Sequence, residues 1–256
     1  MVKIAINAGH YRKTAGKRCL KKLDVNETRE WTLNDRIADK LEDLLRPYDC
    51  EVLRIDDSTG LIETSLYNRC KKANRWEADI YISIHHNAGV YGGSGGGTIV
   101  FYYSSDPERK TQALSMYNSI VSRTGLIGNR SSKIVKQGFY ELKHTNMSAF
   151  LLENGFMDSS TDVPIILTED HADKTARGLL DFLVKEYKLE AKPSTFKVKI
   201  VANSLNYRKG PGTSYGVNGT VKRGEVYTII ETSGNWGRLK SGAGWINISE
   251  KYAKRI

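Results

Sequence analysis

Nowhere do the 256 residues offer the ~20 consecutive apolar side chains that a helix needs to cross a bilayer; the longest apolar runs are strand-sized. Cysteine is scarce as well. Cys19, Cys50 and Cys70 are odd in number and lack CxxC spacing, which argues against a disulfide framework and for buried thiols. The start, "MVKIAINAGH", is too short and too polar for a secretory signal and reads as a first strand. The expectation is a chain that leaves the cytoplasm without a standard signal, or one whose leader lies upstream. The glycine-rich stretch "GVYGGSGGG" (89–97) lacks phosphate-loop spacing and a following Lys-Ser/Thr, so it reads as a mobile loop and not a nucleotide cradle. Negative charge is scarce in the last quarter. From Thr195 onward 11 Lys/Arg face 3 Asp/Glu, which accounts for most of the formal charge of +10 and implies an anionic partner for that part.

What is present is a chain of two characters. Through residue 188, apolar runs ("KIAI", "CEVLRI", "DIYISI", "GTIVFYY", "AFLLEN") alternate with helical patterns. In "REWTLNDRIADKLEDLL" the residues Leu33, Ile37, Leu41 and Leu44 share one helical face. This predicts an α/β fold, a mostly parallel sheet flanked by helices. "LEAKPS" (189–194) reads as a linker, and residues 195–256 show short β runs between glycine turns, predicting a small all-β barrel.

Sites in such sheets form at the carboxyl ends of strands. "KIAINAGH" delivers His10, "DIYISIHH" delivers His85 or His86, and "AFLLENGF" delivers Glu153. Glu30, three residues before Leu33, falls on the buried face of its helix, where a carboxylate is costly unless paired, protonated or bound to a metal. The plainer role for it, an acid complementing the helix dipole, suits Glu27 better. Two histidines and a glutamate form a standard set for a catalytic zinc, with one unligated carboxylate, Glu153, left to relay protons. Dispersed ligands are a weaker signal than an HExxH pair, which the chain lacks.

"INAGH", Glu30 with Asn34 in "EWTLN", "SIHHNA", "LLENGF" and the Arg and Ala-Asn of "LYNRCKKAN" together resemble the zinc-dependent type 3 family of N-acetylmuramoyl-L-alanine amidases, across nearly all of residues 1–188. The resemblance implies one zinc ion held by His10, Glu30 and His85, with Glu153 as acid–base residue. It implies cleavage of the amide between N-acetylmuramic acid and L-alanine in bacterial peptidoglycan. It selects His85 over His86, which is left to substrate or helix packing. The family commonly has an acid at Asn7, and glycines where this chain has Tyr11 and Arg12. The first change bears on the support of His10; the second brings Arg12 toward substrate. Asn87 and His144 are further candidates for substrate contact, Glu141 for a second carboxylate near the metal, and His171 for plain solvation.

The tail, with "LNYRKGPG", Ser-Tyr, Trp236 and "GWI", resembles a bacterial SH3-type domain, which implies a wall-binding module. Tyr207, Trp236 and Trp245 are expected in its core, and Arg208, Lys209 and Tyr215 on its ligand surface. Anionic wall polymers suit its charge, and no interleaved basic-aromatic motif for nucleic acid is present. The sum is a monomeric endolysin- or autolysin-like hydrolase, made in the cytoplasm and acting on the wall after release or lysis. A zinc peptidase within the stem peptide and a non-catalytic wall-binding protein are the alternatives.

Overall fold

The N-terminal apolar run forms β1 (Val2–Ala8), with Ile4, Ala5, Ile6 and Ala8 fully buried. Apolar side chains on both faces mark a central strand of a parallel sheet. The computed structural model describes residues 1–129, 131–192 and 195–256, and the chain divides into units 1–190 and 191–256. Positions 193 and 194 of the expected linker lie outside the described residues, and Leu189 is buried in the core of the first unit.

After β1 come α1 (Glu30–Leu45), β2 (Cys50–Arg54), α2 (Leu66–Arg75), β3 (Ile80–Asn87), β4 (Thr98–Tyr102) and α3 (Pro107–Thr124). The unit continues through β5 (Ile134–Lys136), α4 (Tyr140–His144), β6 (Ser148–Phe156), α5 (Val163–Ile166) and α6 (Glu169–Tyr187). The strands lie in the order β2-β1-β3-β6-β4-β5. The pairs β2-β1, β1-β3, β3-β6 and β4-β5 are parallel, and β4-β6 is antiparallel.

Leu33, Ile37, Leu41 and Leu45 bury one stripe of α1. Ala38, Ile37 and Leu41 join the main core together with Ala113, Met116 and Ile120 of α3 and Ala176, Leu179 and Phe182 of α6. Helices α3 and α6 approach so closely that a Cβ on Gly178 would lie 2.6 Å from the Ile120 Cα. A second core around Ala73, Tyr81, Leu142 and Leu151 involves α2 and α4. Because β1, β3 and β6 are adjacent and parallel, their carboxyl ends share one edge.

The second unit is antiparallel, with β7 (Phe196–Ile200), β8 (Ser204–Arg208), β9 (Val217–Lys222), β10 (Val226–Ser233), β11 (Trp236–Leu239), β12 (Trp245–Asn247) and β13 (Ala253–Arg255). Its strand order is β13-β7-β10-β11-β12-β8-β9, around a core of Val198, Ile200, Leu205, Val221, Ile229, Leu239, Ile246 and Ala253. Tyr207 packs against this core, but Trp236 and Trp245 do not enter it, contrary to expectation. Strand alternation is the reason. Gly237, Leu239 and Ile246 take the inward positions, which turns both tryptophans outward and half-buries them.

Candidate metal centre

The edge shared by β1, β3 and β6 carries the chemistry. Past β1 the chain turns through Gly9 to His10, which adopts a left-handed backbone with φ 68°. For a non-glycine residue this costs about 1–2 kcal/mol. Gly9 is required there, because a Cβ would stand 2.0 Å from the His85 ring. Glu30 is the first residue of α1 and is 1% exposed. Its Oε1 lies 3.0 Å from His85 Nδ1 and its Oε2 lies 3.3 Å from His10 Nε2. Ligand atoms from His10, Glu30 and His85 all fall within 4.8 Å of one another. Glu27 precedes the helix and pairs with Arg18 at 3.2 Å, so it does not serve the helix dipole as expected.

Burial would raise the Glu30 carboxyl, but the His10 and His85 imidazoles beside it hold it well below the usual range. Burial lowers His10; at His85 burial is outweighed by the Glu30 carboxylate, and the net direction is up. Glu153 stands beside His85 in the β3–β6 register, and burial pushes its carboxyl up to about 8. Among the described residues, His10 Nε2, Glu30 Oε2 and Glu153 Oε2 are buried and have no hydrogen-bond partner. Buried polar atoms are rarely left in that state. A divalent cation among the two imidazoles and Glu30 would satisfy the first two, and this donor set is one of those that suit zinc. The residues therefore fit a metal ion.

The surroundings hold these groups in place. The His86 ring, 2% exposed, faces α1 and not the open edge. Its Nδ1 lies 2.8 Å from Asn34 Oδ1, and Asn34 Nδ2 donates to the Gly9 carbonyl at 3.1 Å, so His86 steadies the turn that carries His10. Arg69, buried on α2, donates to the His10 carbonyl at 3.0 Å. Asn7 supports the other histidine: its Nδ2 donates to Ser83 Oγ at 2.8 Å, and Ser83 Oγ lies 3.2 Å from His85 Nε2. Asn7 also donates to Glu141, which is buried behind the serine rather than beside the ligand atoms. Lys17 Nζ, 3.6 Å from Glu30 Oε2, brings a cation that no sequence pattern signalled.

Other expected site residues are placed less directly. Asn87 Oδ1 accepts from the next backbone N–H, forming a turn at the end of β3. The Arg12 guanidinium sits 4.8 Å from the Trp31 ring centroid, stacked on α1. His144 stacks on Tyr140 and donates to that residue's carbonyl. His171 is 2% exposed, its ring 6.4 Å from His86, and burial takes it down to about 4; it is not the solvated residue expected. The glycine-rich loop is tied down. Asp158 accepts from the N–H groups of Gly89, Val90 and Tyr91, and Asp162 accepts from that of Gly97. In the second unit the Arg208 guanidinium donates to the Tyr215 carbonyl, the Lys209 backbone N–H donates to that of Gly216, and Arg208 and Trp236 line one groove.

Residues 4–185 match the N-acetylmuramoyl-L-alanine amidase family model, and residues 203–252 match the bacterial SH3 domain. A sporulation-specific N-acetylmuramoyl-L-alanine amidase of Bacillus subtilis is 31% identical over 214 residues, covering 80% of this chain and 79% of the relative. An endolysin of Bacillus phage SPP1 is 27% identical over 96% of each chain. The catalytic domain of the amidase CwlV from Bacillus (Paenibacillus) polymyxa superposes with a TM-score of 0.66 at 26% identity, covering 74% of this chain and 100% of that domain.

Proposed function

Because the chain belongs to the N-acetylmuramoyl-L-alanine amidase family, we propose that His10, Glu30 and His85 hold one zinc ion and that Glu153 moves the proton. The activity is that of the family, hydrolysis of the amide between N-acetylmuramic acid and the L-alanine of the stem peptide. The observation that carries the assignment of roles is the meeting of those three ligand atoms beside a buried, unpartnered Glu153 oxygen.

A zinc ion held by His10, Glu30 and His85 would supply a Lewis acid to the scissile carbonyl and to the attacking water. Glu153 Oε2 takes a proton from that water as the new C–O bond forms. It returns the proton to the nitrogen as the C–N bond breaks, leaving a lactyl carboxylate and a stem peptide with a free L-alanine amine. Burial raises the carboxyl of Glu153, and a dication held beside it would lower it, a balance suited to a group that must both accept and give.

The second unit is a bacterial SH3 domain, and peptidoglycan is its expected surface. Its Lys/Arg excess supports attraction to anionic wall polymers, with Arg208, Lys209, Tyr215 and the outward Trp236 as contacts. Among the described residues no helix is long and apolar enough to cross a membrane. The chain then acts as a monomer on the wall, after release from the cell that makes it.

Mass spectrometry of digested walls tests this reading. Intact stem peptides with L-alanine at a new N-terminus support it. Shortened stem peptides would make the chain a peptidase, and wall binding without release would make it non-catalytic.

A further inference from the structure

Glu141 is a carboxylate 4% exposed, and among the described residues it forms no ion pair with Lys or Arg. Its neighbours are neutral donors. The Tyr81 hydroxyl and Asn7 Nδ2 donate to Oε1, the latter at 3.1 Å, and Ser83 Oγ donates to Oε2 at 3.4 Å. Tyr81, Ser83 and Asn7 are all fully buried. An ionised carboxylate so far from water is costly unless its charge faces a cation.

Ser83 connects it to such a place. The serine has one proton, and a carboxylate can only accept, so the proton lies toward Glu141. Asn7 Nδ2 fills one lone pair of Ser83 Oγ, and the other faces His85 Nε2 at 3.2 Å. His85 must therefore carry its proton on Nε2, which leaves Nδ1 bare on the side of Glu30. Were Ser83 free to turn its proton to Nε2, the imidazole proton would move to Nδ1 and block the ligand position.

We propose that Glu141 is a positioning residue that acts through Ser83 to hold His85 in the tautomer that ligates metal, and that its charge strengthens that ligand. This rests on the assignment of His85 as a zinc ligand. The charge comes from α4, since the other side chain bonded to Ser83 from β1, Asn7, is neutral. Carboxylates that orient a ligand histidine are worth about 10–100-fold in metal affinity.

The test is zinc affinity of the full chain, measured by competition with a chromophoric chelator, with thermal unfolding of the metal-free protein as control. Glu141→Gln is expected to bind zinc about 10–100-fold more weakly while remaining folded. Ser83→Ala should lose a similar factor, and the two changes together should lose little more than one, because they break one chain of bonds. Asn7→Asp added to Glu141→Gln restores a carboxylate against Ser83 and should recover most of the affinity. Unchanged affinity in Glu141→Gln overturns the proposal, as does full multiplication of the two losses. Should Glu141→Gln fail to fold, unchanged zinc affinity in Ser83→Ala overturns it equally. Failure of the underlying assignment is distinct: the unmodified chain would then bind no zinc at all.

Discussion

Among the described residues Glu153 keeps one carboxylate oxygen buried and without a partner beside His85, so on the proposed reading its removal should spare the metal and stop the proton transfer. Glu153→Ala is expected to keep its zinc, by metal analysis, and to lose at least about a hundredfold in turnover on wall fragments. His171 answers to a different measurement. Its folded pKa is about 4, against about 6.5 for an exposed histidine, so between those values the unfolded chain binds the extra proton. Stability is therefore highest above pH 6.5 and falls as pH drops toward 4, by up to about 3 kcal/mol from this residue. Asp35, raised to about 6 by burial, works in the opposite sense, so the comparison must be made within a pair of variants. His171→Leu should flatten the fall in melting temperature between pH 6.5 and 4; an unchanged slope would show that the buried imidazole does not drive it.

At the scale of elements, Gly178 sets how closely α3 and α6 pack. Gly178→Ala forces a methyl to within 2.6 Å of the Ile120 Cα and should destabilise the fold by about 1–3 kcal/mol in denaturant unfolding. The elements themselves were largely legible in the sequence. Continuous apolar runs marked β1, β3 and β6, a 3.6-residue period marked α1, and parallel strands bring His10, His85 and Glu153 to one edge by topology alone. The support beneath that edge was not legible. Asn7 and Glu141 meet across 134 positions, and nothing local in "FYELKH" signals that α4 tucks a carboxylate behind Ser83. The glycine-rich loop misled for a related reason. Composition suggested freedom, but the carboxylates that bind its N–H groups, Asp158 and Asp162, follow it by more than 60 residues. The outward tryptophans show the limit of composition again, because strand register decides which aromatics a small sheet buries.

For the molecule as a whole, charge is divided as the work is. The second unit holds 12 Lys/Arg against 3 Asp/Glu, and on the proposed reading it concentrates the first unit on an insoluble polymer, which raises the number of bonds cut per encounter. Residues 1–190 alone should cleave soluble fragments at the rate of the full chain but pellet poorly with whole walls. Pelleting of the full chain should weaken as salt rises. Unchanged pelleting of the shortened chain would remove the SH3 domain as the anchor. The account depends most on two imidazoles and one carboxylate sharing a single cation. Metal analysis of purified His10→Ala beside the unmodified chain tests that most directly. One zinc per unmodified chain and none in the variant, with activity lost, is the expected result; stoichiometric zinc retained by His10→Ala would contradict it.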